Sequence, residues 1–517
     1  EYGGRVSSIM DIKTIDGNKK ELGGKLSANT FGSKIFLEGP LTKSGNSSFV
    51  FSGKTSYLDK SSKYIYTYID TAGLPYSFTD LYGKISVNGG NGSKWNLFGF
   101  NYKDQVHYRD VNELGWDSRG VGSNFVLVPG STPVLIQGNF AYSSYLIRLE
   151  ESEIAPRQSG INGFNLGLDF TYFNGDDELQ YGLEVLGFQT DYDFTNASGL
   201  IMEQKENTTE FSGFVRYKLK TDKIIFEPGI RLYKYNATAA TFEPRFGAKI
   251  LAHENLRFKL AAGKYTQNLV STASDRDVVN LFYGFLTSPD DIPDSFLDKE
   301  VVNGLQKANH LIIGLEYDLS ENIDFNIEGY MKDFTQLTNL NKDKTTISEP
   351  DFIIEEGLAK GLDFVLKYSD TKFYFWAVYS LGHITRKDEN QTYHPHFDRR
   401  HNINLVSTYK FGYKNSWSFD ARWNLGSGFP FTQTQGFYPL LNFENGINSE
   451  YITENGELGI LYADINQGRL PYYHRLDIAL KKKHKLSKHS SFNWNIGVTN
   501  AYNRENIFNF NRIKYVR

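Results

Sequence analysis

Hydrophobic and polar residues alternate along much of this chain. In residues 322–332 (NIDFNIEGYMK), Ile323, Phe325, Ile327 and Met331 share one face of an extended strand, and Asp324, Asn326, Glu328 and Lys332 share the other. The same split places Leu179, Tyr181, Leu183 and Val185 opposite Gln180 and Glu184, and Leu476, Ile478 and Leu480 opposite Arg475, Asp477 and Lys481. It recurs where Phe492, Trp494, Ile496 and Val498 oppose Asn493 and Asn495. A period of two predicts half-apolar β-strands, and roughly nine to eleven residues per strand is enough for a tilted crossing of a bilayer.

Alternation alone does not separate a lipid-facing wall from a soluble sandwich, whose apolar faces pack on each other. The connections do. About twenty-one strand candidates are joined by alternately short and long segments, the rhythm of an up-and-down barrel with one smooth and one elaborated rim. The short turns precede Trp95, Leu179, Ile224, Leu256, Ile323, Phe373, Ser416 and Ser491, and the long connections cover residues 267–308, 334–356, 385–400 and 428–470. The predicted fold class is therefore all-β: a large antiparallel up-and-down transmembrane barrel. Such a barrel encloses more space than side chains fill, so its polar inner face lines a channel or surrounds a plug. Pro228 and Pro244 fall inside two predicted strands, where each removes a ladder donor, and are read as bulges in the wall.

Composition narrows the classes. Among 517 residues no apolar run is long enough for a membrane helix, and aromatics make up 15% of the chain. A net charge of -4 with scattered lysines excludes a basic nucleic-acid footprint. The absence of cysteine fits an oxidising or envelope compartment without requiring one. No linker or low-complexity tract divides residues 21–517.

The chain opens EYGGRVSSIMDIKT, where Gly3 and Gly4 predict a tight turn and Val6, Met10 and Ile12 one side of an extended strand. This stretch, with Tyr2, Gly3, Gly4 and Arg5 as its motif, resembles the end of the plug domain of TonB-dependent outer-membrane receptors. The resemblance continues through residues 37–59, similar to that family's second and third barrel strands. Residues 226–235 and 242–250 resemble its mid-barrel hairpin, 397–412 the strand after a long loop, and 495–510 its penultimate strand. It implies a 22-stranded barrel over residues 21–517, whose final strand lies beyond Arg517, and a plug remnant with linker over residues 1–20. Most of the plug and the energy-coupling box would lie ahead of Glu1.

The resemblance also implies a function: import of a scarce solute (a siderophore, haem, cobalamin, glycan or similar) across the outer membrane of a Gram-negative bacterium. The implied partners are outer-membrane lipid, a TonB-type energy-coupling complex acting through the plug, and the solute itself, with no cofactor. Alternative readings are a passive porin-like or secretion channel, a non-transporting barrel subunit of an outer-membrane complex, and a soluble all-β protein.

Candidate contacts for the solute are Arg276, Asp277, Tyr283 and Phe285 in one long connection and His394, His396, Arg399 and Arg400 in another. Rim aromatics also serve as interfacial anchors, and the two arginines as ordinary rim charges. His394, His396, Asp398 and His401 are of metal-ligating type, but their spacing matches no established metal pattern and no metal site is assigned. Glu243, Arg245, Lys249, Asp324, Glu328, Lys332, Arg475 and Asp477 fall on the polar face and are expected to line the lumen, pairing with one another or holding the plug. No nucleophile elbow, phosphate loop or HExxH helix stands in a convincing context, so no enzyme is predicted.

Overall fold

The computed structural model describes residues 3–67, 73–108, 112–151, 154–195, 201–236, 238–272, 282, 284–341, 344, 346–439 and 458–507. One antiparallel sheet of 22 strands takes up most of them. Twenty-one are principal strands, each paired with its neighbours in sequence order from Gly23–Ala28 to Ser491–Val498; the other is the two-residue piece Thr392–Tyr393 beside Phe373–Lys387. Among the described residues, no ladder joins the first strand to the last. The eight predicted short turns all fall between consecutive strands. Their chemistry is local: Asp370 Oδ1 accepts the N–H groups of Lys372 and Phe373 at 2.6 and 2.7 Å, and Gly92 and Gly175 supply left-handed backbone.

At the opposite end the strands are longer than a bilayer crossing needs. Ile154–Asn174 has 21 residues and Ile201–Lys220 has 20. At about 3.3 Å per residue and a tilt near 45°, 21 residues rise roughly 49 Å against a hydrocarbon core of about 30 Å. The same extension shortens one predicted connection. Strands Ile323–Leu340 and Phe352–Ser369 leave only residues 341–351 between them, not 334–356, because Leu337–Leu340 still pair with Phe352–Glu355.

The alternation separates two faces. Leu183 is 67% exposed and Ile313 58%, and each would favour burial by about 1.5–3 kcal/mol in water, a demand that acyl chains would satisfy. The inner face carries the ion pairs described below. At the long-loop end an inward apolar cluster forms instead, from Leu114, Ile147, Tyr192 and Met202 of the extended strands with Val270 and Leu286. The last two belong to a small hairpin, Leu269–Ser271 with Phe285–Thr287, which folds onto the inner wall. Ser159 Oγ bonds both the N–H and the carbonyl of Phe285, and the Thr287 and Thr208 hydroxyls meet at 2.9 Å. An eight-residue helix, Leu58–Ile65, follows strand Ser47–Ser56 and was not expected.

Three local expectations are corrected. Pro228 and Pro244 lie in strands Ile224–Tyr235 and Thr241–His253, whose mutual register has no shift, so neither is a bulge. The missing donors are absorbed by gaps on the other sides: pairing with Ile201–Lys220 lapses between Arg216↔Gly229 and Leu219↔Phe226, and pairing of Thr241–His253 with Leu256–Gln267 begins only at Arg245. Residues 6–12 form no strand, since no ladder partner runs beside them among the described residues; of the two opening glycines only Gly4 is left-handed, at φ 67°. The strand resembling the family's penultimate one ends at Val498. There Asn500 turns left-handed, and its side chain bonds both the N–H and the carbonyl of Arg504.

Candidate functional site

The segment from Gly3 to Gly17 runs inside the curve of the sheet and is held by the inner wall at two places. The first clamp grips its start. Gly3 lies so close to the guanidinium of Arg231 that a Cβ there would stand 2.0 Å from Nη1. Gln267 Oε1 accepts the Val6 N–H at 3.1 Å, His310 Nε2 lies 3.1 Å from the Val6 carbonyl, and Lys332 Nζ donates to the Ser7 carbonyl at 3.3 Å. These three residues come from consecutive ladder partners, Leu256–Gln267, Gln306–Ser320 and Ile323–Leu340.

The second clamp holds the other end on different strands. Tyr82 donates to Thr14 Oγ1 at 2.7 Å and Lys84 Nζ to the Thr14 carbonyl at 3.0 Å. Asp16 pairs with Lys84 at 3.0 Å and Lys94 at 2.7 Å. Burial pushes the Asp16 carboxyl up, but the two ammonium groups outweigh it and hold it below its ordinary value of 3.8. Gly17 then passes hard against Ser47–Ser56, where a Cβ would stand 2.0 Å from the Phe49 carbonyl oxygen. Between the clamps Met10 and Ile12 are exposed to the lumen.

Under the first clamp lies a buried charge network. Arg231 and Glu243 face each other across the ladder, both essentially inaccessible, at 3.4 Å. Arg231 also reaches Glu184 and Ser212, and Arg245 pairs with Glu243 at 2.7 Å. Every charge has a partner, as burial in a low dielectric requires.

The sequence-predicted residues divide between this site and the rest of the wall. Gly3, Gly4 and Arg5 lie on the network, while Tyr2, Arg276, Asp277 and Tyr283 lie outside the described residues. Glu243, Arg245 and Lys332 are brought to the segment. Elsewhere Lys249 pairs with Glu316, Glu328 with Lys259, Asp324 with Lys367, and Arg475 with Asp477. Phe285 packs edge-on against Tyr145 of the wall. His396 lines a lumenal cavity of about 800 Å³, together with Ser7, Ser8, Glu328, Lys332 and Arg386.

The other rim candidates are organised by Asp398, which is fully buried. Its carboxylate takes Arg469 at 2.6 Å, Arg400 at 3.4 Å and the Ile384 N–H at 2.9 Å. His394 Nδ1 lies 2.7 Å from the Ile384 carbonyl, and Arg399 stacks over Phe429 at 4.0 Å. Asp398 thus ties the segment before His401 to the loop that carries Arg469. Among the described residues no group of three or more His, Cys, Asp or Glu side chains is placed to hold a metal ion.

Sequence reasoning missed Lys84, Lys94, Arg231, Gln267 and His310. Each stands on the polar face of its strand, but its partner lies far along the chain. The one available signal was the inward position itself.

No family model matches the chain, and no curated protein matches it in sequence. Solved structures do. A chain of the FpvAI–pyocin S2 complex is 11% identical with a TM-score of 0.63, covering 94% of this chain and 66% of its own. BauA, the ferric preacinetobactin receptor from Acinetobacter baumannii, is 10% identical with a TM-score of 0.60, covering 94% and 76%. The copper transporter OprC is 12% identical with a TM-score of 0.60, covering 95% and 76%. This chain therefore spans just under two thirds of the first of these and about three quarters of the others. Its large antiparallel sheet of 22 strands matches the β-barrel fold of the TonB-dependent outer-membrane receptors.

Proposed function

We propose that this chain is the barrel, with the last segment of the plug, of an outer-membrane receptor that imports a scarce solute by TonB-dependent transport. In this reading residues 1–20 end the plug and link it to a barrel over residues 21–517, and the protein is a transporter rather than an enzyme. The observation that carries it is the segment Gly3–Gly17, held across the lumen by polar contacts at two separate clamps. Two separate polar clamps suit a plug that must move, because its attachment has to be both specific and breakable. Hydrogen bonds of net value about 0.5–1.5 kcal/mol each suit that demand.

The parts then take roles. The extended strand ends and the hairpin at Phe285–Thr287 narrow the mouth, and the rim held by Asp398 presents His396 toward the cavity where a solute would wait. The coupling complex pulls on the plug, the first clamp releases, and the lumen opens along the wall formed by Glu243, Arg245 and Lys332. The solved receptors of this fold include ones for a ferric siderophore and for copper, which supports a scarce nutrient as cargo.

The test uses the absence of cysteine from residues 1–517. In the full-length protein, Ser7→Cys with Lys332→Cys, joined by a reducible bifunctional thiol cross-linker that spans the reach of the lysine side chain, should lose solute uptake by cells, and reductant should restore it. Dissipating the inner-membrane proton gradient should stop uptake by the unmodified receptor. Uptake indifferent to both the lock and the gradient would assign the barrel to passive diffusion.

A further inference from the structure

The outward face carries a groove that transport does not use. Across four consecutive strands Leu311, Met331, Lys360 and His383 stand in one register row, and Ile313, Gly329, Leu362 and Leu381 in the next row toward the short turns. Gly329 puts no side chain between Ile313 and Leu362, and the depression has a volume of about 530 Å³. Its length is apolar, while Lys360, His383 and Arg400 gather at the long-loop end.

Depth gives these cations their meaning. Lys360 stands nine positions before the strand end at Ser369, about 30 Å along the strand and roughly 21 Å along the membrane normal. Against the apolar band of about 25 Å that an outer-membrane barrel presents, this leaves about 4 Å to the headgroups of the outer leaflet, within reach of a lysine side chain. A lysine on the lipid face costs about 2–4 kcal/mol at the midplane and about 0–1 near the interface, so this position is tolerable and favours an anion. Lys360 has no ion-pair partner among the described residues. Beside it, the buried Nδ1 of His383 has no hydrogen-bond partner, and Arg400 shares the single Asp398 carboxylate with the closer Arg469. The end of the groove is thus short of negative charge while its body is shaped for a hydrocarbon chain.

We propose that this groove holds an acyl chain of an outer-leaflet lipid whose phosphate group is bound by Lys360, His383 and Arg400. The inference rests on the outer-membrane reading above and adds a specific lipid site to it. The phosphate neutralises Lys360 and sets an anion beside the His383 ring and Arg400, and the chain covers Leu311, Ile313, Met331 and Leu362, as an interfacial lipid site requires.

The full-length protein extracted from membranes tests this. Detergent partition and heat-dependent gel migration first establish insertion of each variant. After delipidation, binding of lipid A, of lipid A stripped of its phosphates, and of inorganic phosphate is measured by native mass spectrometry. Unmodified protein should retain one lipid A. Lys360→Gln and dephosphorylated lipid A should each weaken retention about tenfold, and Lys360→Arg should restore it. Gly329→Val, whose Cβ would meet Leu362 at 3.2 Å, should displace the chain and abolish retention. Equal retention by Lys360→Gln and Gly329→Val would reduce the groove to ordinary lipid contact, and binding of inorganic phosphate as tightly as lipid A would make it a free-anion site; either overturns the proposal alone. Failure of the unmodified protein to partition into detergent would overturn the outer-membrane reading with it.

Discussion

Glu243 Oε1 accepts both the backbone N–H of Thr266, at 3.0 Å, and its hydroxyl, at 2.5 Å. The ladder between these two strands starts only at Arg245, one residue after Pro244, so the Thr266 N–H has no ladder partner on that side. A carboxylate replaces the missing bond, and its other oxygen takes Arg231 and Arg245. Glu243→Ala should therefore orphan the buried Thr266 donor, leave the buried Arg231 with only Glu184 and Ser212, and take an ion-pair partner from Arg245. Breaking a buried ion pair costs about 3–5 kcal/mol, and unfolding in detergent and denaturant should show a loss of that order. Glu243→Gln, which keeps the acceptor for Thr266, should lose less. Equal losses would assign the whole effect to charge.

That arrangement also marks where sequence reading stops. Strands, turns and facing were legible because a period of two and the turn residues are local properties, as NIDFNIEGYMK and the Asp370 turn demonstrate. The two prolines were legible as exceptions, but their accommodation was not, since Glu243 and Thr266 are distant in sequence and a bulge is the local remedy for a lost donor. The clamps were hidden for the same reason: Asp16 meets Lys84 and Val6 meets His310 only after the sheet has curled. Residues 6–12 alternate well enough to read as a strand, yet a strand exists only beside a partner. The hairpin at Phe285–Thr287 was hidden inside the long connection 267–308, where Phe285 stood only as a candidate solute contact, because its docking surface, the inward apolar ends of strands longer than a bilayer needs, leaves no mark in the loop itself.

Gly3 admits no side chain while Arg231 stays where it is. Gly3→Ala should therefore displace either the segment or the guanidinium, and Arg231 is held by Glu184, Ser212 and Glu243. The segment should give way. Hydrogen exchange on the full-length protein should show faster exchange at Val6, whose N–H is held by Gln267, with the barrel strands unchanged. Faster exchange in strand Ile224–Tyr235 instead would mean that Arg231 had moved.

The second clamp should be sensitive to acid. The Asp16 carboxyl is held below its ordinary value, so its contribution is complete above that value and is lost as pH falls through the lowered one. A spin label at Met10→Cys, unique in a cysteine-free chain, should keep constant mobility from neutral pH to about pH 5 and become freer only on further acidification. Asp16→Asn should free the label at every pH and cost about 1–3 kcal/mol, between the values for exposed and buried pairs, since Lys84 is nearly inaccessible and Lys94 is not. A transition near neutral pH would place the sensitive group elsewhere in the lumen.

The rim should fail separately from the barrel. Asp398 is the shared anion for Arg400 and Arg469 and the acceptor for the Ile384 N–H, so it joins the connection before His401 to the long connection after Gly426. Asp398→Asn removes the charge and leaves an acceptor for Ile384, while Asp398→Ala removes both. Because the strands beneath keep their ladders, both variants should insert and migrate as the unmodified protein does. Limited proteolysis should cut both faster between residues 388 and 400, the alanine variant more so, as loss of a buried pair worth about 3–5 kcal/mol frees the loops. If His396 and its neighbours hold the solute, uptake should fall through weaker capture, with the half-saturating concentration rising while the maximal rate is kept. A fall in maximal rate with unchanged capture would instead connect Asp398 to movement of the plug, through the cavity that His396 shares with Ser7 and Lys332.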